Sequence, residues 1–127
     1  MTRDEQWDSM TTDQKNTIIA EKVMGWHKEG ESLFGGRMIY AWVKDGYPED
    51  NYKWSPTTDI SAFGQVVEKM EKRGYVWMFD YDGLDYAAAF GLSFETFETY
   101  ADDYVSGETL MEAGCKAAYR AVGEENE

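Results

Sequence analysis

WSPTTDISAFGQVVEKMEKRG, residues 54–74, reads as a helix with both ends marked, and its reading decides the fold. Pro56 disfavours helical geometry at Ser55 and fixes its own φ, so the chain arrives extended and turns within the next few residues. Thr57, Thr58 and Asp59 each carry a side-chain oxygen able to accept from the free amides of a first turn. Asp59 also sets negative charge near the positive end of the helix dipole. Ile60, Phe63, Val67 and Met70 recur at three- and four-residue steps, with Val66 beside them, and form one apolar stripe. Gln65, Glu68, Lys69, Glu71 and Lys72 fall mostly on the other faces. Gly74 follows Arg73, where a left-handed residue closes a helix. A helix with a single apolar stripe needs a surface to lie on, and the strand-like segment YVWMFDYD, residues 75–82, begins at once.

Working outward, residues 1–10 have little periodicity and are expected to be a flexible N-terminal segment, although Trp7 and Met10 could dock on the body. A first helix is expected from about Thr12 to Met24. Thr11 and Gln14 have capping-box spacing, Ile19, Ala20, Val23, Trp26 and His27 follow at helical intervals, and Gly25 marks the end. KEGESLFGG, residues 28–36, is loop by composition. RMIYAWVK, residues 37–44, alternates two apolar faces and reads as a strand covered on more than one side or meeting a partner chain. DGYPEDNYK is a loop of turn formers.

Beyond the central helix, Tyr75 to Tyr81 and Tyr86 to Phe90 read as strands joined at Asp82-Gly83. A turn near Gly91 to Glu95 and a further strand over about Phe97 to Asp102 follow, since Thr and aromatic content there outweighs a helical spacing. The last helix is expected from about Glu108 to Val122, capped by Ser106 and stopped by Gly123, ahead of an acidic tail at 124–127. The expected fold class is α+β: one domain over 11–123, a layered α/β/α sandwich with about four strands in a largely antiparallel sheet and three helices.

At 127 residues the chain is long enough to bury one core without metals or cross-links. A lone cysteine, Cys115, makes no intramolecular disulfide, which fits a reducing cytoplasm. No apolar run reaches the roughly 18 residues of a membrane span, and the polar N-terminus lacks a secretory signal. Twelve Lys and Arg stand against 25 Asp and Glu, a net charge of −13. Such a field repels phosphates, so direct nucleic-acid binding is not expected. It suits either plain solubility or imitation of nucleic acid toward a basic partner.

IAEKVMGW at 19–26, WSPTTDISAFGQVVEKM at 54–70 and LMEAGCKAAYRAVG at 110–123 resemble the three helical blocks of the phage ABA-sandwich domain. These blocks cover about a third of the chain, in the family's order. The strands match poorly, and both the N-terminal ten residues and the segment from Phe94 to Tyr104 depart from the pattern. The resemblance implies an α/β/α layered fold and a small phage-encoded accessory protein acting in the host cytoplasm, without transferable catalytic residues. By analogy with other small phage proteins, it implies action against bacterial defence, by sequestering a nucleotide immune signal or by blocking a defence protein through contact.

Candidate sites are few. His27 is the single histidine, so any catalytic dyad would have to use it and a two-histidine zinc site is impossible. Cys115, among small residues mid-helix, reads as a buried structural thiol. Asp80, Asp82 and Asp85 gather in DYDGLD, where hairpin turn chemistry competes with cation binding. FGGR, residues 34–37, is a flexible loop with Arg37 at its edge.

Aromatic excess is the most informative feature, because rings stack on bases and arginines meet phosphates, while Tyr and Trp also enrich subunit interfaces. The expected ligand-binding set is Arg37, Tyr40, Trp42, Trp54, Arg73 and Trp77, taking a small anionic nucleotide-like ligand in an expected homo-oligomer. Neither cofactor nor metal is expected. The leading function is sequestration of that ligand without cleavage. The alternative is contact inhibition of a host defence protein, including by nucleic-acid mimicry, and a hydrolase using the 80–85 carboxylates comes third.

Overall fold

The computed structural model describes residues 2–32, 38–44, 47–49, 54–91 and 104–125, with side chains over 2–27, 54–91 and 104–123. Its elements run α1 (Arg3–Asp8), α2 (Thr12–Lys22), β1 (His27–Ser32), β2 (Met38–Lys44), β3 (Tyr47–Glu49), α3 (Ile60–Lys72), β4 (Val76–Tyr81), β5 (Tyr86–Gly91), β6 (Val105–Gly107) and α4 (Leu110–Glu125). The class is α+β, as expected. The described strands form two antiparallel sheets of three, β1-β2-β3 and β4-β5-β6, instead of one sheet of about four, and the described residues hold four helices instead of three.

The central helix forms for the reasons its ends announce. Asp59 is the N-cap and accepts from Ser61 N at 3.3 Å. Thr57 serves another purpose: it is buried, and its Oγ1 donates to Asn16 Oδ1 at 2.9 Å, while Asn16 Nδ2 donates to Ser55 Oγ at 2.9 Å. Asn16 thereby fastens the Ser55–Thr57 turn to α2. The buried stripe of α3 is Ala62, Phe63, Val66 and Met70. Ile60, expected on that stripe, is 61% exposed, because the first helical residue lies a turn short of the surface that Phe63 meets.

Gly25 and Gly74 both have positive φ, 76° and 93°. That geometry lets Trp26 N bond back to Ala20 O at 2.9 Å and Tyr75 N to Met70 O at 3.0 Å, closing α2 and α3 and delivering two buried aromatics to the core.

α4 is the element the described body is built on, since α1, α2, α3, β5 and β6 all pack against it. Its middle is buried nearly all round, from Ala113 to Tyr119. The larger core cluster gathers Trp7, Ile19, Val23, Trp26, Phe63, Val66, Met70, Cys115 and Ala118 with their neighbours. A smaller one joins Ala113 and Ala117 to Ala88 of β5 and Val105 of β6. Small residues on α4 allow this closeness. A Cβ at Gly114 would collide with the Phe63 ring, so α3 and α4 approach to a distance only glycine permits.

Four sequence expectations are corrected. Residues 1–10 are not a free segment, because Thr2 and Glu5 form a capping box and α1 sinks Trp7 completely. His27–Ser32 is a strand despite its polar composition, made so by antiparallel pairing with β2 from His27↔Val43 to Ser32↔Met38. Ser106 lies in β6, paired with Ala87, and Thr109 caps α4 instead by accepting from Glu112 N at 3.1 Å. Gly123 does not end that helix, which continues to Glu125. The strand expected over 97–102 lies outside the described residues. Among the described residues no helix is long and apolar enough to cross a membrane.

Candidate functional site

Three of the six expected ligand-binding residues have described side chains. Arg37 lies outside the described residues. Tyr40 and Trp42 are placed only by backbone register in β2, opposite Gly30 and Lys28 respectively. Trp54 is 6% exposed, its ring 4.7 Å from that of Trp26, and it donates Nε1–H to Gln65 Oε1 at 2.6 Å. Arg73 donates from Nη1 to the carbonyls of Lys22 and Val23, both at 3.1 Å. Trp77 stands elsewhere, on β4, stacked with Phe79 at 4.9 Å and edge-on to Phe63 at 6.4 Å.

Neither Trp54 nor Arg73 is among the described residues lining the nearby cleft, although Trp54 touches two that are, Trp26 and Gln65. The cleft's volume is about 350 Å³, and Met24, Gly25, Trp26, Gln65, Glu68, Lys69 and Lys72 line it. Each wall follows from local folding. The positive-φ turn at Gly25 lays Trp26 against Trp54, whose indole in turn holds Gln65. Arg73 occupies the exposed carbonyls ending α2, so the negative end of that helix is covered by a guanidinium. Gln65, Glu68, Lys69 and Lys72 repeat at helical spacing along one side of α3.

Charge in the cleft runs against that of the chain. Lys72 is exposed and pairs with Glu68 at 3.1 Å, across one turn. Lys69 is half-buried and has no ion-pair partner among the described residues. The lining therefore holds two ammonium groups against one carboxylate, on a protein of net charge −13. An unpartnered, partly desolvated ammonium beside an indole favours an anion carrying a flat ring. Lys69, Gln65 and Trp26 were not singled out in the sequence, where α3's polar residues read as a solvated face. The signal was present as the 65, 68, 69, 72 spacing, a second stripe beside the apolar one.

A second hollow of about 580 Å³ lies between α1 and α2, lined by Gln6, Ser9, Met10, Asp13, Gln14, Thr17 and Ile18. Among the described residues its lining carries a carboxylate and no cation.

The aspartate cluster resolves into turn chemistry. Asp82 Oδ1 accepts from Leu84 N at 2.8 Å and Asp85 N at 2.9 Å, and these bonds hold its carboxyl below the usual carboxylate range. Asp80 Oδ1 accepts from Tyr81 N at 2.8 Å. Among the described residues no group of three His, Cys, Asp or Glu is placed to hold a metal ion. His27 is exposed at the first position of β1. Cys115 is fully buried, and burial, with Glu112 adding to it, pushes its thiol well above the ordinary range, which bears out the structural reading.

The α+β body and the three helical blocks point to a small phage domain, and the comparison with protein families agrees. The family model described as the Phage ABA sandwich domain matches residues 17–119, and the chain belongs to that family. No curated protein and no solved structure is significantly similar to it.

Proposed function

We propose that this member of the phage family binds and sequesters a small anionic, ring-bearing ligand, a nucleotide-like immune signal of the infected host, without cleaving it. The observation that carries the reading is the cleft of about 350 Å³ in which Lys69, without an ion-pair partner among the described residues, and Lys72, paired with Glu68, line the same walls as Trp26. Its volume lies within the span of about 300–1,000 Å³ common to small-molecule sites. A ring lies against Trp26, which Trp54 backs, phosphate oxygens take the lysine ammoniums, and Gln65 offers its amide N–H to a base edge. Lowering the free signal in this way protects the phage without chemistry. The expected homo-oligomer belongs to the same proposal, as does action in the host cytoplasm.

The test is to incubate the protein with a panel of cyclic mono- and oligonucleotides, remove free ligand, denature the protein and analyse what is released. An intact nucleotide, retained by the wild type and lost in Lys69→Glu/Lys72→Glu, supports sequestration. Release of a cleaved product identifies an enzyme instead, and no retention by the wild type removes the reading.

A further inference from the structure

The β4–β5 hairpin leaves apolar side chains exposed at the margin of the core clusters, against which its Tyr86 and Phe90 pack. Met78, Phe79, Tyr81 and Leu84 are 37%, 51%, 54% and 86% exposed. The rings are ordered against each other: Trp77 stacks on Phe79 at 4.9 Å and Tyr81 on Tyr86 at 4.6 Å, the latter two facing across the strand pair. The hairpin itself carries charge of one sign. Asp82 and Asp85 are exposed at the hairpin end, Asp80 is exposed on the face of β4 opposite Phe79 and Tyr81, and Asp82 is kept ionised by its two amide donors. No Lys or Arg occurs between Arg73 and Lys116, a span that includes the whole hairpin.

We infer that this hairpin is a docking surface for a basic protein segment whose arginines or lysines alternate with apolar residues. This goes beyond the cleft and uses none of its residues. Rings and aspartates select the same partner. Exposed Tyr faces attract guanidinium groups, the carboxylates neutralise them, and Leu84 and Phe79 need apolar cover. A second copy of the chain is disfavoured at this place, because two hairpins would bring six aspartates together between bodies that each carry −13. Nucleic acid is repelled for the same reason. The matching partner is a cationic protein, which fits a second mode of action by contact with a host factor.

The experiment uses the full chain and three synthetic octapeptides: alternating Leu-Arg, alternating Leu-Glu, and octa-arginine. Binding is followed by calorimetry at several salt concentrations. The Leu-Arg peptide is expected to bind at least about tenfold more tightly than octa-arginine, the equivalent of about 1.4 kcal/mol. Leu-Glu is expected not to bind. Leu84→Ser, at a fully solvated turn position, leaves the melting temperature unchanged and weakens Leu-Arg binding about tenfold, as an apolar anchor would. Asp80→Asn/Asp85→Asn flattens the salt dependence. Equal binding of octa-arginine, or Leu-Arg binding untouched by Leu84→Ser, would reduce the surface to diffuse acidity and overturn the inference. So would sedimentation showing a dimer that Leu84→Ser dissociates. Because Lys69→Glu/Lys72→Glu alters only the cleft, its effect on nucleotide retention is read independently.

Discussion

Trp7 of α1 donates its indole N–H to Glu112 of α4 at 3.0 Å, and the same carboxylate oxygen takes Lys15 of α2 at 2.6 Å. The Lys15 ammonium also lies 5.3 Å over the Trp7 ring. One acidic side chain thus ties three helices, with Lys116–Asp8 at 3.0 Å and Tyr119–Gln6 at 3.0 Å reinforcing the α1 docking. Trp7→Ala empties a fully buried site and is expected to cost about 3–5 kcal/mol, a large share of a domain's stability. Trp7→Phe keeps most of the packing and loses one bond, about 1–2 kcal/mol. Urea denaturation midpoints separate the two. Equal losses would mean that the hydrogen bond, not the ring, holds α1.

Two helical glycines should respond oppositely to alanine. Gly64 on α3 faces open space, so Gly64→Ala is expected to stabilise by about 0.5–1 kcal/mol through helix propensity. Gly114→Ala drives a methyl into the Phe63 ring and is expected to destabilise by about 1–3 kcal/mol. Phe63→Leu in the Gly114→Ala background should recover part of that loss in thermal melts.

Cys115 predicts an alkaline limit. In the unfolded chain its thiol ionises near 9.0, whereas in the fold it keeps its proton to higher pH. Its folded-state value is raised, so the contribution to stability is complete below the unfolded value and declines as pH rises beyond it, where the unfolded state binds fewer protons. Comparing urea melts of wild type and Cys115→Ala at pH 7 and pH 10, the wild type should lose more stability over that interval than the variant. Native protein should also resist thiol reagents until denaturant is added.

Arg73 caps the C-terminal end of α3 and Lys69 lies four residues earlier in its last turn, yet their substitutions should separate fold from binding. Arg73→Ala uncovers the carbonyls of Lys22 and Val23 and is expected to cost about 1 kcal/mol. Lys69→Glu leaves stability within about 0.5 kcal/mol and reverses the charge offered to an anion. Paired measurements of melting temperature and nucleotide retention check this. A Lys69→Glu protein that melts early and still retains ligand would show that Lys69 is a structural residue.

Local chemistry explains which parts of the fold were legible. The Thr11–Gln14 box, the Asp59 cap and the Asp82-Gly83 turn are each written within four residues, and each is present. Misread elements depend on distant partners. HKEGES has no strand alternation of its own and becomes β1 only because β2 pairs with it. RDEQWD carries one apolar residue, too few for periodicity, and is a helix because α4 offers Glu112, Lys116 and Tyr119 to receive it. At Ser106 and Thr109 two hydroxyls compete for the same cap, and strand pairing to Ala87 removes the first.

The candidate site was less legible for a related reason. Aromatic abundance draws attention to Trp54, whose ring is spent on Trp26 and Gln65, and these become the cleft's own surface only after α2 and α3 meet.

The placing of α4 has a bearing on how the protein is made. The segment against which the other described helices and the β5–β6 strands settle is the last of them to leave the ribosome, so earlier segments emerge with their apolar faces uncovered. Nascent chains that stall before residue 110 carry Trp7, Phe63 and Met70 without their cover, which makes interrupted synthesis a substrate for chaperones and proteases, not a source of half-working protein.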